Sequence, residues 1–164
     1  MIKRFTLQWI DDAEMFQPIV DFLWTISEGD VIHFYVNSVG GITSWFDILE
    51  DELMKLPNKI VFYIWEAYSN GFTILFNIKQ RRRENTEFIV FPSSVAIIHI
   101  TAWKMDVADG WIIRWEWYKQ SEYKYRLHSK KQSAPYFLEW KDKEDYENGY
   151  NIFLPADKLK EIFS

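Results

Sequence analysis

The chain has no cysteine among its 164 residues and only three histidines. The lack of cysteine excludes a disulfide framework, a cysteine nucleophile, a zinc ribbon and a cysteine-ligated iron–sulfur cluster. The shortage of histidine leaves few candidates for a base that works near neutral pH. The phosphate-binding patterns GxxxxGK[ST] and GxGxxG are also absent. Nothing in the sequence indicates a metal or a cofactor.

Long apolar runs and an excess of positive charge are missing too. The longest apolar run, Ile60 to Trp65, stops at Glu66 and is far shorter than the roughly 18 residues of a membrane span. The start, MIKRFTLQWIDD, lacks the apolar core of a signal peptide. A formal net charge of −5 argues against a general nucleic-acid binder. We therefore expect a cytoplasmic protein with one domain over residues 1–164, and with no nucleic-acid or membrane partner.

Aromatic residues are abundant: 9 Trp, 9 Tyr and 13 Phe. Rings in such number usually serve core packing and subunit contacts.

Apolar periodicity predicts alternating strands and helices. The predicted strands are 5–10, 31–36, 60–65, 88–91 and 95–100, and the predicted helices are 13–26, 42–56, 72–80, 110–129 and 157–162. Asp12 is the expected N-cap of the first helix, and Pro92-Ser93-Ser94 is expected to separate the last two strands. The order β-α-β-α-β-α-β-β-α predicts an α/β fold with a mainly parallel sheet and right-handed crossovers.

Sites in parallel sheets form beyond the carboxyl ends of the strands. This rule selects residues 37–41, residues 66–71 and His99. His99 closes the apolar strand VAIIH, where it is either a general base or a buried residue bonded to the backbone. His33, in mid-strand, is expected in the core or an interface, and His128 at a solvated helix end.

Two strand-to-helix turns carry the remaining candidates. Ser69, in EAYSNG, is either a nucleophile beside the free N–H groups of a helix or an ordinary N-cap serine. Gly40 and Gly41 either donate an oxyanion N–H and approach an extended peptide, or simply make a sharp bend.

Together these segments resemble the proteolytic subunit of the Clp protease, a serine peptidase of the crotonase-like superfamily. VIHFYVNSVGGITSWFDILEDEL is similar to the family's strand, N-S-P-G-G turn and helix, and IWEAYSNGFTILF to its G-x-A-A-S-M-G nucleophile turn. FPSSVAIIHI resembles the strand that ends in the catalytic histidine, and FTLQWIDDAEMFQPIVDFLWTIS the family's first strand and helix. The resemblance covers residues 5 to about 103 well and the remainder loosely.

The resemblance implies a serine endopeptidase, and it assigns each part of the active site to a residue of this chain. Ser69 matches the nucleophile and His99 the general base, while the N–H groups of Gly41 and Asn70 match the oxyanion hole. Substrate strands would lie along Ile42 to Ser44, so that Gly40, Ile42 and Thr43 would contact the peptide. The third member of the triad falls on Asn151, in NIFLPA, with Asp145 as the alternative.

The resemblance also implies an assembly. Family subunits form stacked heptameric rings, so we expect a homo-oligomer that takes polypeptide substrates, with helix 110–129 at the position of the ring-to-ring handle. The segment through which the family contacts an ATP-driven unfoldase is expected to be missing, because Met1 lies just before the first strand. Binding to an unfoldase is therefore left open.

Several residues depart from the family pattern. Val39 replaces a proline, Trp65 a glycine and Tyr68 a small alanine, and the spacing from Ser69 to His99 indicates an insertion near 81–87. Arg81-Arg82-Arg83 reads as a solvated face or as a contact with an acidic substrate or subunit. These departures keep a second hypothesis open, a catalytically weak homologue with a structural or regulatory role in an assembly. A third is an acyl-CoA enzyme of the crotonase type.

Overall fold

The computed structural model describes residues 1–81, 84–99, 135, 137–147 and 150–164. The chain divides into two compact units. The first comprises Met1–Ile98 and Phe153–Ser164, and the second comprises His99–Ile152.

A five-stranded sheet of order β1-β2-β3-β4-β5 forms the centre of the fold. Its strands are β1 (Ile2–Leu7), β2 (Val31–Ser38), β3 (Lys59–Tyr68), β4 (Thr86–Ile98) and β5 (Ile152–Pro155). The first four strands pair in parallel, each with the next along the chain. The α/β class and the mainly parallel sheet are thus confirmed.

Helices connect the parallel strands. The first unit contains α1 (Ala13–Trp24), α2 (Thr43–Lys55), α3 (Asn70–Gln80) and α5 (Ala156–Phe163), and α4 (Trp140–Glu147) belongs to the second. Asp12 caps α1 as predicted, because its carboxylate accepts the Met15 N–H at 2.8 Å. Pro18 lies inside this helix. Among the described residues, no helix is both long and apolar enough to cross a bilayer.

A row of phenylalanines crosses the buried face of the sheet. Phe34 and Phe62 are fully buried and stack with ring centroids 5.6 Å apart, and Phe88 extends the row at 5.4 Å from Phe62. Helices close over both ends of the row, Phe22 of α1 beside Phe34 and Phe163 of α5 beside Phe88. These contacts fix the strands, and therefore the turns that follow them.

The opposite face of the sheet carries a second aromatic group that is more accessible. Tyr35 stacks on Tyr63 at 5.0 Å, and Trp65 stacks on Phe91 at 4.3 Å. Trp65 is 38% exposed. His33 lies mid-strand at one end of this group, 5.2 Å from the Tyr63 ring. Aromatic residues of the described strands therefore pack on both faces of the sheet.

The strands differ from prediction in three places. The first strand spans Ile2–Leu7 rather than 5–10. Residues 86–98 form one strand rather than two, although its register with β3 shifts where Pro92-Ser93-Ser94 had indicated a break. The Ser94 hydroxyl keeps the strand continuous, since it accepts the Phe91 N–H and donates to the Ile64 carbonyl. The four-residue strand β5 was not predicted. The predicted helix 110–129, His128 and residues 82–83 of the arginine run lie outside the described residues.

Candidate functional site

Ser69 occupies the turn between β3 and α3 in a backbone conformation that is unusual for its residue type. Its φ of 53° and ψ of −124° match the first central position of a type II′ turn, which glycine normally fills. In the described part of the chain, no other residue except glycine has a positive φ. Such a conformation costs on the order of 1–3 kcal/mol and is typical of sites where a side chain must project from a sharp strand-to-helix turn.

The ordinary alternative for Ser69, an N-cap serine, does not fit this geometry. Ser69 precedes α3 directly, yet its hydroxyl makes no capping hydrogen bond. The backbone of Ser69 holds the turn instead. Its N–H donates to the Ile97 carbonyl at 2.7 Å, and its carbonyl accepts the N–H groups of Phe72 and Thr73, both at 3.0 Å. The partly exposed Ser69 side chain thus takes no part in capping α3.

Gly40 lies against the Ser69 turn. A Cβ added to Gly40 would stand 2.8 Å from Ser69 Cβ and 3.0 Å from the Tyr68 carbonyl oxygen. Gly40 also has a φ of +97°, which L side chains rarely adopt. A side chain at position 40 is therefore excluded both by contact and by backbone conformation. The two turns singled out in the sequence are brought together at this point.

Gly41 is held by Ile10, the residue that follows β1 by three positions. The Ile10 N–H donates to the Gly40 carbonyl at 3.2 Å, and the Ile42 N–H donates to the Ile10 carbonyl at 2.9 Å. A trans peptide points its C=O and N–H in opposite directions, and no cis peptide occurs among the described residues. The N–H and C=O of Gly41 itself must therefore both point away from Ile10.

Asn70 meets Gly41 on that opposite side. The Asn70 side chain is buried, and its Nδ2 donates to the Gly41 carbonyl at 2.7 Å and to Thr43 Oγ1 at 3.1 Å. The N–H of Asn70 is one of the first in α3 and has no partner within the helix. The Asn70 N–H directly follows Ser69, at the positive end of a helix dipole that favours a developing negative charge, and the Gly41 N–H points away from Ile10, as the carbonyl bound by Asn70 does.

Ser38 supports the glycine turn through its hydroxyl, a role that no sequence pattern indicates. Its side chain is fully buried. The hydroxyl donates to the Gln8 carbonyl at 2.9 Å and accepts the Gly40 N–H at 3.2 Å. A Cβ on Gly71 would stand 2.9 Å from Ser38 Cβ, so α3 begins in direct contact with the end of β2. Ser38 therefore links both turns.

The expected strand pairing along Ile42 to Ser44 needs correction. Ile42 is extended, with φ −72° and ψ 126°, but Thr43 and Ser44 form the first turn of α2. Helical residues cannot present a strand edge, so extended backbone ends at Ile42. Thr43 reaches the site through its side chain instead, as the second acceptor of the Asn70 amide.

His99 and the two candidates for the third position belong to the second compact unit. His99 is half-buried and follows directly after Ile98, the last residue of β4. Asn151 is exposed and immediately precedes β5, while Asp145 is half-buried within α4. Their roles remain predictions.

The residues that depart from the Clp pattern precede the glycine and serine turns in the sequence. Val39 and Trp65 are exposed, at 53% and 38%. Tyr68, directly before Ser69, is half-buried, and its pKa is raised by burial and then by the nearby charge of Glu66. Tyr68 is therefore a neutral phenol at neutral pH.

The described residues supply a serine hydroxyl, a sharp strand-to-helix turn and a helix N-terminus beside a glycine turn, features that sites for acyl transfer use. Among these residues, no group of three histidine or acidic side chains is arranged to hold a metal ion. Compared with known proteins, the chain matches no family model and no curated sequence.

Proposed function

We propose that the protein is a serine peptidase similar to the Clp proteolytic subunit, which cleaves peptides or unfolded polypeptides through an acyl-enzyme on Ser69. One observation carries the proposal: Ser69 holds a backbone conformation suited to glycine, without using its hydroxyl as a helix cap. A serine kept at that cost in a turn flanked by backbone donors is suited to nucleophilic attack.

In the proposed reaction, Ser69 Oγ attacks the carbonyl carbon of the scissile peptide while His99 takes the hydroxyl proton. The N–H groups of Gly41 and Asn70 stabilise the oxyanion of the tetrahedral intermediate. His99 then gives its proton to the leaving amine, and the C–N bond breaks. A water molecule, deprotonated by His99, hydrolyses the ester and restores Ser69.

His99 is proposed as the base because it follows closely, along the chain, the residue that binds the backbone of Ser69. The Ser69 N–H is bonded to the carbonyl of Ile97 in β4, and His99 is the second residue after Ile97. His33 is unsuitable because it lies mid-strand in the aromatic group. In the proposal, Asn151 or Asp145 orients the imidazole, and replacing each in turn by alanine distinguishes them.

Hydrolysis of an unstructured peptide tests this proposal. We expect the wild-type chain to cleave it, and we expect Ser69→Ala and His99→Ala each to reduce cleavage by roughly the 10³-fold or more seen when a triad member is removed. Thr73→Val is a matched control, because Thr73 contacts the Ser69 carbonyl but not the proposed chemistry. Cleavage that survives Ser69→Ala would refute the proposal.

A second candidate function, an assembly component of Clp type, is favoured by the accessible aromatic face of the sheet. Trp65 is exposed and stacks with Tyr35 and Phe91. Exposed aromatic groups are typical of protein interfaces. This function predicts a defined homo-oligomer, a ring by resemblance, that dissociates in Trp65→Ser and does not react through Ser69. Measuring the native mass with and without the substitution tests it.

A further inference from the structure

We infer that the side chain of Asn70 is a positioning residue that joins the two halves of the oxyanion hole. This inference rests on the proposed function. The backbone of Asn70 supplies one donor, and its side-chain amide holds the residue that supplies the other. A single residue then links the two donors.

The direction of the Asn70 amide follows from its partners. The Gly41 carbonyl can only accept a hydrogen bond, so the group that faces it must be the NH2 of Asn70. Thr43 Oγ1 accepts from the same nitrogen. Asn70 is only 5% exposed, while Gly41 and Thr43 are half-buried, so both hydrogen bonds are partly shielded from water.

These hydrogen bonds complete the restraint of the peptides on either side of Gly41. Ile10 binds the Gly40 carbonyl and the Ile42 N–H, and thus holds both peptides from one side. Asn70 binds the Gly41 carbonyl from the other side. The Ile10 N–H, bonded to the Gly40 carbonyl, opposes rotation of the Gly40–Gly41 peptide, which carries the Gly41 N–H. The Asn70 amide acts on the next peptide, Gly41–Ile42, and ties Gly41 to the first residue of α3, so the distance between the two donors is set before substrate binds.

The glycines explain why a side chain is needed for this task. Gly41 has a φ of +144°, and a Cβ on it would stand 1.9 Å from the Ile10 carbonyl oxygen, so no larger residue can replace it. A glycine pair has wide conformational freedom. Contacts from neighbouring residues must therefore fix its peptides, and Asn70 provides a contact that comes from the residue directly after Ser69.

Labelling by a fluorophosphonate, followed by mass spectrometry, tests the inference. The rate is separated into the affinity for the reagent and the rate constant of bond formation. We expect Asn70→Leu, which keeps the volume but cannot donate, to lower the bond-forming rate constant about 100-fold, comparable with loss of one oxyanion donor. Affinity should change little. Asn70→Asp should lose at least as much, because a carboxylate oxygen would face the Gly41 carbonyl.

Asn77→Leu is the matched control, since it makes the same substitution in α3 and removes a hydrogen bond to Glu50 but none to the serine or glycine turn. It should label within a few-fold of wild type. Thermal unfolding of each variant distinguishes a loss of folding from a displacement of Gly41. If Asn70→Leu does not fold, Asn70→Asp is used in its place. If Asn70→Leu and Asn70→Asp label at the wild-type rate, the inference is overturned, while the proposed function still stands. A wild-type chain without label on Ser69 overturns the proposed function and this inference with it.

Discussion

Gly40 and Ser69 belong to different turns, yet a methyl group on Gly40 would stand 2.8 Å from Ser69 Cβ. The carboxyl ends of β2 and β3 lie side by side in the sheet, which brings the two turns together. The close approach leaves no space for a side chain at position 40. The geometry of the serine turn therefore depends on a glycine that lies 29 positions earlier in the sequence.

Gly40→Ala is expected to eliminate the reactivity of Ser69. The added methyl group would collide with Ser69 Cβ and with the Tyr68 carbonyl, and alanine would resist the φ of +97°. Stability should fall by more than the roughly 1–2 kcal/mol of the backbone effect alone. Chemical denaturation and fluorophosphonate labelling measure the two effects.

Gly29→Ala is the control for that substitution. Gly29 has a similar φ of +83° but no atom within 4 Å of an added Cβ. Gly29→Ala should lower the free energy of unfolding only by the backbone contribution, about 1–2 kcal/mol, and should label at the wild-type rate. Equal losses of stability and reactivity in the two alanine variants would show that the contact with Ser69 is unimportant.

Ser69→Gly is expected to make the protein more stable than Ser69→Ala by about 1 kcal/mol, because glycine adopts a positive φ without steric cost. Both variants lose the hydroxyl and should be equally inactive. Comparing the two variants with each other removes the effect of the lost oxygen. Equal free energies of unfolding would mean that position 69 stores no backbone strain.

Ser94→Ala is expected to destabilise the fold by about 1–3 kcal/mol, because it leaves the Phe91 N–H and the buried Ile64 carbonyl without their partner. Ser93→Ala, at the exposed neighbouring position, is the matched control and should change stability by less than about 0.5 kcal/mol. Chemical denaturation measures both. Similar values for the two variants would rule out a bridging role for the Ser94 hydroxyl.

His33 is expected to make the fold sensitive to mild acid. Burial, and secondarily Arg4, lower the pKa of His33, which outweighs the opposite effect of Glu87. As the pH falls below about 6.5, the unfolded chain therefore binds this proton before the folded chain does, and stability is lost until the folded pKa is passed. Above that range both states are neutral at His33, and the residue contributes no pH dependence.

The measurement compares wild type with His33→Asn by chemical denaturation at about pH 7.5 and about pH 5.5. The variant should lose less free energy of unfolding between the two pH values than the wild type does. A variant that loses as much as the wild type would exclude His33 as a source of the acid sensitivity.

Much of the fold was predictable because local patterns and tertiary packing agree. The apolar runs of β2 and β3 and the Asp12 cap were read directly from the sequence. The division of β4 was predicted wrongly because a side chain, Ser94, substitutes for missing backbone contacts. The strand β5 is only four residues long and has too few positions to establish a period.

The candidate site was predictable in its residues but not in its geometry. Position alone identified Ser69, Gly40 and Gly41, since sites form at the ends of parallel strands. The positive φ of Ser69 has no sequence signal, because serine seldom adopts it. The Asn70 side chain and the Ser38 hydroxyl act across turns distant in sequence, so only the folded chain reveals them.

The most direct test of the account is whether a fluorophosphonate forms an adduct on Ser69 of the wild-type protein. Mass spectrometry of wild type, Ser69→Ala and His99→Ala answers the question in one experiment. We predict a phosphonate adduct on Ser69 in wild type, none in Ser69→Ala, and strongly slowed labelling in His99→Ala. A folded wild-type chain that takes up no label at Ser69 would contradict the proposed peptidase.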